Sequence, residues 1–180
     1  MKLAPDGRLA PCRYVASPNH DERPADEAPM LLVVHSISLP PGEYGGDAIE
    51  RLFTNRLDPA AHPYFREIEA LRVSSHFLIR RDGELTQFVP VDRRAWHAGE
   101  SCWRGRARCN DFSIGVELEG SDDAPFDARQ YGTLVSLIAA LRAPLPLRAI
   151  AAHSDIAPGR KTDPGPGFDW PRLLAELAAQ

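Results

Sequence analysis

Cysteine is scarce. The 180 residues hold three, Cys12, Cys102 and Cys109, with no CxxC pair among them. So few and so scattered, they argue against a disulfide framework, and the odd count fits a reducing compartment. No apolar run approaches the roughly 20 residues that a membrane-spanning helix needs. The opening stretch MKLAPDGRLAPC lacks the apolar core of a signal peptide. The expectation is a cytoplasmic protein with no membrane partner. An excess of positive charge is missing too. Lys and Arg number 21 against 25 Asp and Glu, a net charge of −4, which argues against a nucleic-acid partner. Internal repeats, low-complexity tracts and linkers are absent, so residues 1–180 read as one domain. At this length a chain buries about 70% of its unfolded surface and needs no covalent staples.

What is present reads as interleaved strands and helices. Residues 1–29 are polar and proline-bearing and are expected to wrap the surface. MLLVVH, 30–35, is a continuous apolar run, as in a strand buried on both faces. Ile49, Leu52, Phe53 and Leu57 recur at helical spacing over 46–57, and 62–71 suits a second short helix. SSHFLIRRDGELTQFVP reads as a hairpin turning at Asp82-Gly83. In FSIGVELEG, 112–120, Ile114, Val116 and Leu118 face one way and Ser113, Gly115, Glu117 and Glu119 the other. Residues 127–142 form an amphipathic helix capped by Asp127, with Tyr131, Leu134, Val135, Ile138 and Leu141 inward. A last strand is expected over 146–152. Asp169 then caps a final helix with Pro171 in its first turn and Leu173, Leu174 and Leu177 inward. The fold class is therefore α/β (α+β): a single domain with a mixed central β-sheet flanked by helices.

Charge is distributed unevenly. Between Arg72 and Arg108 lie eight arginines and four acidic residues. Such a segment is either a solvated basic face or a patch for an anionic substrate.

The chemistry gathers around HSDIAPGRKTDPGP, residues 153–166. Its prolines and glycines bar a helix or a central strand, so a stiff loop is expected. His35 ends one apolar strand and His153 follows another. Asp163 comes far enough behind His153 for the loop to turn back. Two histidines and a carboxylate with a fourth position open make a catalytic zinc set, and the open position takes a water whose pKa the metal lowers to about 7. Lys161, two residues before Asp163, projects to the same side of an extended segment, where a cation stabilises an oxyanion. Glu117 suits a general base, but Glu119 shares its face and alternation does not choose between them. His20, His62, His76 and His97 compete as ligands on equal terms. The residues alone support an α/β domain with the makings of a zinc hydrolase.

Several ordered motifs go further. LLVVHSISLPPGEYGG, HPYF, LRVSSHFLIRRDGEL, RAWHAGES, RCNDFSIGVELEG and RKTDPGPGFDW resemble the cytoplasmic AmpD-type N-acetylmuramoyl-L-alanine amidases of bacteria, over about residues 9–174. That family also groups with phage lysozyme-type amidases and peptidoglycan recognition proteins. The resemblance implies one Zn2+ per chain held by His35, His153 and Asp163, with Glu117 as general base and Lys161 assisting the transition state. It implies that His76 and the cysteines pack. It further implies cleavage between the lactyl group of muramic acid, in its 1,6-anhydro form, and L-alanine of the stem peptide. Such fragments arise in cell-wall recycling, and in some bacteria they induce a β-lactamase. The expected partner is thus a small-molecule muropeptide, and the protein is expected to be a monomer. Arg72 and Arg108 are candidates for binding its carboxylates, and Trp96 for stacking, with His97 nearby. Family members carry asparagine where this chain has Ser36, so that contact to substrate differs. A peptidoglycan-binding module without catalysis is the competing reading. Relatives of that kind lose a zinc ligand, and none is lost here.

Overall fold

The computed structural model describes residues 1–179. β1 (Lys2–Leu3) and β2 (Leu9–Ala10) form a small antiparallel ladder, followed by β3 (Arg13–Tyr14) and β4 (His20–Glu22). β5 (Leu31–Ile37) leads to α1 (Ala48–Phe53) and α2 (Pro63–Ile68). Next come β6 (Phe77–Ile79), β7 (Leu85–Gln87) and β8 (Arg93–Ala95), then β9 (Cys102–Trp103) and β10 (Arg106–Ala107). β11 (Ser113–Glu119), α3 (Ala128–Arg142), β12 (Ala149–Ala152), α4 (His153–Ile156) and α5 (Trp170–Ala178) complete the chain. Six strands form the main sheet in the order β12–β5–β11–β6–β7–β3. β12, β5, β11 and β6 run parallel to their neighbours, whereas β7 is antiparallel to β6. The sheet is mixed and flanked by helices, as the alternation of patterns predicts.

The two faces of the sheet do different work. Leu32, Val34, Phe77, Ile79, Ile114, Val116 and Leu118 pack on Leu134, Ile138 and Leu141 of α3 and Leu173 of α5. Each such side chain contributes roughly 1.5–3 kcal/mol by leaving water. α3 starts where Asp127 accepts from the Arg129 N–H while Gln130 accepts from the Asp127 N–H, a reciprocal cap. The opposite face carries two smaller clusters. Leu31, Val33 and Ala151 meet Phe112 and Ile156, and Leu78 meets Phe53, Phe65 and Phe88. His35 and Glu117 share that second face.

Several expectations change in detail. β5 continues two residues beyond His35, because Ser36 and Ile37 still pair with Leu118 and Glu119. α1 is shorter than the spacing predicts: Asn55, at φ 57°, takes the left-handed conformation that ends helices. β12 starts at Ala149, past Pro144 and Pro146, which have no N–H to give a ladder. The hairpin turns around Arg81-Asp82, with Gly83 at φ 88° as the following left-handed residue, so the turn is one residue longer than Asp82-Gly83 suggests. Leu174 is 59% exposed, not inward. A residue next to Leu173 is rotated by about 100° around the helix, while Leu177 returns to the buried stripe. Cys102 is exposed, whereas Cys109 is buried and Cys12 half-buried. The 153–166 stretch is not wholly loop, since its first residues, ahead of Pro158, close one helical turn as α4. The N-terminal region does more than wrap the surface. β3 extends the main sheet, and Arg23 reaches inward to the carbonyls of Val91, Asn110, Asp111 and Ser113. Among the described residues, no helix is long and apolar enough to cross a membrane.

Candidate metal centre and active site

Strand register builds the site. In the parallel pair of β5 and β11, Glu117 lies level with His35, so both side chains leave the same face. Ala152, the last residue of β12, lies level with Val34, which brings the next residue, His153, alongside His35. All three stand at the C-terminal ends of parallel strands, where such sheets gather their functional groups. The loop after α4 returns Asp163 to the same point. It is tied down by Ser154 N–H to the Asp163 carbonyl at 3.0 Å and by Gly167 N–H to the Asp122 carbonyl at 2.8 Å. Arg160 adds a third tie, donating to the carbonyls of Ala98 and Glu100, both at 2.6 Å.

The result is a compact donor set. His35 Nδ1 and His153 Nδ1 are 2.9 Å apart, and Asp163 Oδ2 is 3.2 Å from the first and 3.0 Å from the second. Among the described residues, these three are the group of His, Cys, Asp or Glu side chains able to share one metal ion. His153 Nε2 lies 3.2 Å from the Ala98 carbonyl, which can only accept. Nε2 therefore carries the ring proton, and Nδ1 turns a lone pair toward the cluster. Lone pairs and a carboxylate gathered this closely repel one another unless a cation joins them. Bonds of about 2.0–2.2 Å to nitrogen and oxygen span these separations, and N,N,O donation is the chemistry zinc accepts. Burial holds the His35 ring down to about 4, against the pull of Asp163, so it stays neutral and able to ligate at pH 7.

Glu117 is 9% exposed, and its Oε2 meets no hydrogen-bond partner in the protein. Burial, then the nearby Asp163, push its carboxyl well above the usual value, while the Lys161 charge pulls it part of the way back. Glu119 differs sharply. It is claimed by Arg80 at 2.9 Å, by the Gly45 N–H at 2.7 Å and by the Arg81 N–H at 3.2 Å. Of the two carboxylates on that face, Glu117 is the one left free to take a proton. His35, His153, Asp163, Glu117 and Lys161 all line one cavity of about 550 Å³.

Comparison with known proteins identifies the chemistry. The N-acetylmuramoyl-L-alanine amidase family model matches residues 25–166. The chain belongs to that family. The 1,6-anhydro-N-acetylmuramyl-L-alanine amidase AmpD of Enterobacter cloacae is 58% identical over 177 residues, covering 97% of this chain and 95% of the relative. A crystal structure of AmpD superposes with a TM-score of 0.96 at 56% identity, over 98% of this chain and 99% of the other. The amidase AmiD of Escherichia coli, solved with anhydro-N-acetylmuramic acid-L-Ala-D-γ-Glu-L-Lys, superposes at TM-score 0.58 and 30% identity, over 94% of this chain and 60% of that one.

Around this cluster, the other expected residues divide. Trp96 and His97 line both the main cavity and a side cavity of about 220 Å³ that Arg72 also reaches. His97 is buried and stands behind His35, its Nδ1 2.9 Å from His35 Nε2. Ser36 lines the main cavity and donates to Asp122 Oδ1 at 3.3 Å. Arg108 lines neither cavity. It is exposed, at φ 63°, and pairs with Asp111 at 3.2 Å. Of the competing histidines, His76 packs beneath the sheet, accepting from the Gly115 N–H at 3.0 Å, and His62 caps α2. His20 lies in β4, paired with β8, outside the metal group. Arg160, Asp122 and the apolar wall of Leu39, Phe53, Ile68 and Val73 were not legible as site residues. They come from separate elements with no spacing in common. A second depression of about 620 Å³ beside Tyr44 holds the Arg13–Glu50 and Arg80–Glu119 ion pairs, so its charges are largely satisfied internally.

Proposed function

We propose that the chain is a zinc-dependent amidase that cleaves 1,6-anhydro-N-acetylmuramoyl peptides between the lactyl carbonyl and L-alanine, as a monomer in the cytoplasm, during recycling of cell-wall fragments. Removal of such fragments would lower the signal that induces a β-lactamase in some bacteria. The observation carrying this reading is the unpartnered, buried Glu117 carboxylate beside the two-histidine, one-aspartate cluster in a single cavity. His35, His153 and Asp163 would hold the zinc. When bound, it supplies Lewis acidity that polarises an amide carbonyl and acidifies water. Glu117 Oε2 takes the proton of the attacking water as its oxygen bonds to the carbonyl carbon. The Lys161 ammonium donates to the oxyanion that develops there. The carbon–nitrogen bond then breaks, and the alanine nitrogen receives the proton that Glu117 or Lys161 carries. The products are a lactyl carboxylic acid and a free peptide amine.

Substrate polarity suits the surroundings. Arg72, Arg160 and Lys161 line the side cavity without a carboxylate among its lining residues, a setting for the acidic stem peptide. Trp96, between the two cavities, can stack on the sugar or peptide. The likeness to AmpD and to the AmiD complex supports the anhydro-muropeptide class. The test compares equal amounts of enzyme on anhydro-muropeptide, ordinary muramyl peptide and polymeric peptidoglycan, with products identified by mass. The anhydro form is expected to be cut fastest and the polymer slowest. Equal rates on all three would overturn the recycling assignment.

A further inference from the structure

We infer that Ser113 and His97 form a relay of hydrogen bonds that fixes the tautomer of His35, aiming its unprotonated Nδ1 at the metal centre. The inference rests on the reading that His35, His153 and Asp163 hold a metal ion. The relay starts at a group whose role is not in doubt, the Cys109 carbonyl, which only accepts. Ser113 Oγ lies 2.6 Å from it, so the one hydroxyl proton points there. Only lone pairs remain on Ser113 Oγ for His97 Nε2, at 3.1 Å. His97 Nε2 must therefore carry the proton. In the neutral ring that leaves a lone pair on His97 Nδ1, and it meets His35 Nε2 at 2.9 Å. His35 Nε2 is thus the donor, and His35 Nδ1 is left bare toward His153 and Asp163.

The two ligating histidines are held by different devices. His153, at the end of β12, reaches the Ala98 carbonyl directly at 3.2 Å. His35 stands inside β5, between β12 and β11, where neighbouring carbonyls are engaged in ladders. A side-chain relay takes the place of a carbonyl there. Two features make room for it. A Cβ on Gly115 would lie 2.5 Å from His97 Cγ, so only glycine lets the ring rest on β11. Asn110 Oδ1 accepts from the backbone N–H groups of His97 at 3.2 Å and Ala98 at 2.8 Å. One side chain therefore positions both the relay ring and the carbonyl that holds His153. His97 and Ser113 are positioning residues in this scheme, acting on the metal centre through His35.

The experiment has two arms. In zinc-free wild-type protein, ring nitrogen NMR should find His35 and His97 each protonated at Nε2 and bare at Nδ1. Zinc dissociation constants, measured by chelator competition, should then separate two variants of similar shape. His97→Leu removes the acceptor and should weaken zinc by about 10–100-fold, the usual effect of losing an outer-shell partner. His97→Asn keeps an acceptor near the Nδ1 position and should restore most of that affinity. A proton on His35 Nδ1 in the wild type would overturn the inference, whether or not the variants fold. So would Leu and Asn variants that bind zinc equally well or equally poorly. Wild-type protein that took up no zinc would overturn the metal reading and this inference together. Zinc uptake with the wrong proton map would overturn the inference alone.

Discussion

Gly115→Ala sets two effects of opposite sign against each other at the centre of the site. Gly115 lies in β11, and its φ is outside the left-handed region, so alanine can adopt its backbone. On that ground alone, the reduced freedom of the unfolded chain should stabilise the protein by about 0.4–1 kcal/mol. The added methyl, however, would come within 2.5 Å of His97 Cγ, 2.7 Å of Nδ1 and 2.8 Å of Cδ2. Those are the inner atoms of a buried ring, fixed on one side by His35 and on the other by Ser113. Overpacking of this kind costs about 1–3 kcal/mol. If the ring tilts away, its two hydrogen bonds are strained as well, each contributing about 0.5–1.5 kcal/mol. The cost outweighs the gain, and the net expectation is a loss of about 1–3 kcal/mol. For a chain of this size that lowers Tm by roughly 2–4 °C per kcal/mol. Thermal unfolding of the zinc-free protein measures it. Gly132→Ala is the control: Gly132 lies exposed within α3, with nothing within 4 Å of an added Cβ, and should gain up to about 1 kcal/mol. A Gly115→Ala protein as stable as the wild type, or more so, would refute the packing argument.

Three further outcomes follow from the site. Glu117 is raised in the folded state above its ordinary 4.5, so the native protein holds that proton longer than the unfolded chain. The Glu117 contribution to the stability of the zinc-free protein should therefore fall as pH rises from about 4.5 through the folded value, so that the wild type loses stability relative to Glu117→Gln at up to about 1.4 kcal/mol per pH unit. Denaturant unfolding across pH measures it, and a constant stability gap between the two proteins would contradict the raised carboxyl. Asp163→Ala should lose most bound zinc together with turnover, as metal analysis of the purified protein will register. Lys161→Met should keep its zinc and lose about 10²–10³-fold in rate, the usual effect of removing an oxyanion donor. A Lys161→Met protein without metal would mean that Lys161 supports the ligand set instead.

Much of this architecture could be read along the chain, because periodicity is local. The apolar run before His35, the alternation around Glu117 and the stripe of α3 each declare a buried face within a few residues. What failed to show depends on partners distant in sequence. Glu117 and Glu119 are equivalent by alternation, and partners of Glu119 brought in from elsewhere separate them: Arg80 and the Arg81 N–H from the hairpin and the Gly45 N–H from the loop before α1. His97 read as one histidine among several, since its place depends on a glycine 18 residues later and on a serine hydroxyl. The two-residue strands β1, β2, β9 and β10 are too short to carry a period. Leu174 misled because three leucines in one turn span more than a single face. Arg108 lies beside a matched motif, yet its left-handed backbone and Asp111 turn it away from the cavities.

Zinc-dependent turnover tests the central claim most directly. The protein is stripped with a strong chelator, refilled with increasing zinc, and assayed at each step on an anhydro-muropeptide, with metal content measured in the same samples. Activity should vanish on stripping and rise in proportion to bound zinc up to about one ion per chain, with the freed peptide starting at L-alanine. Full turnover in the stripped protein, or cleavage at any other bond, would contradict the account.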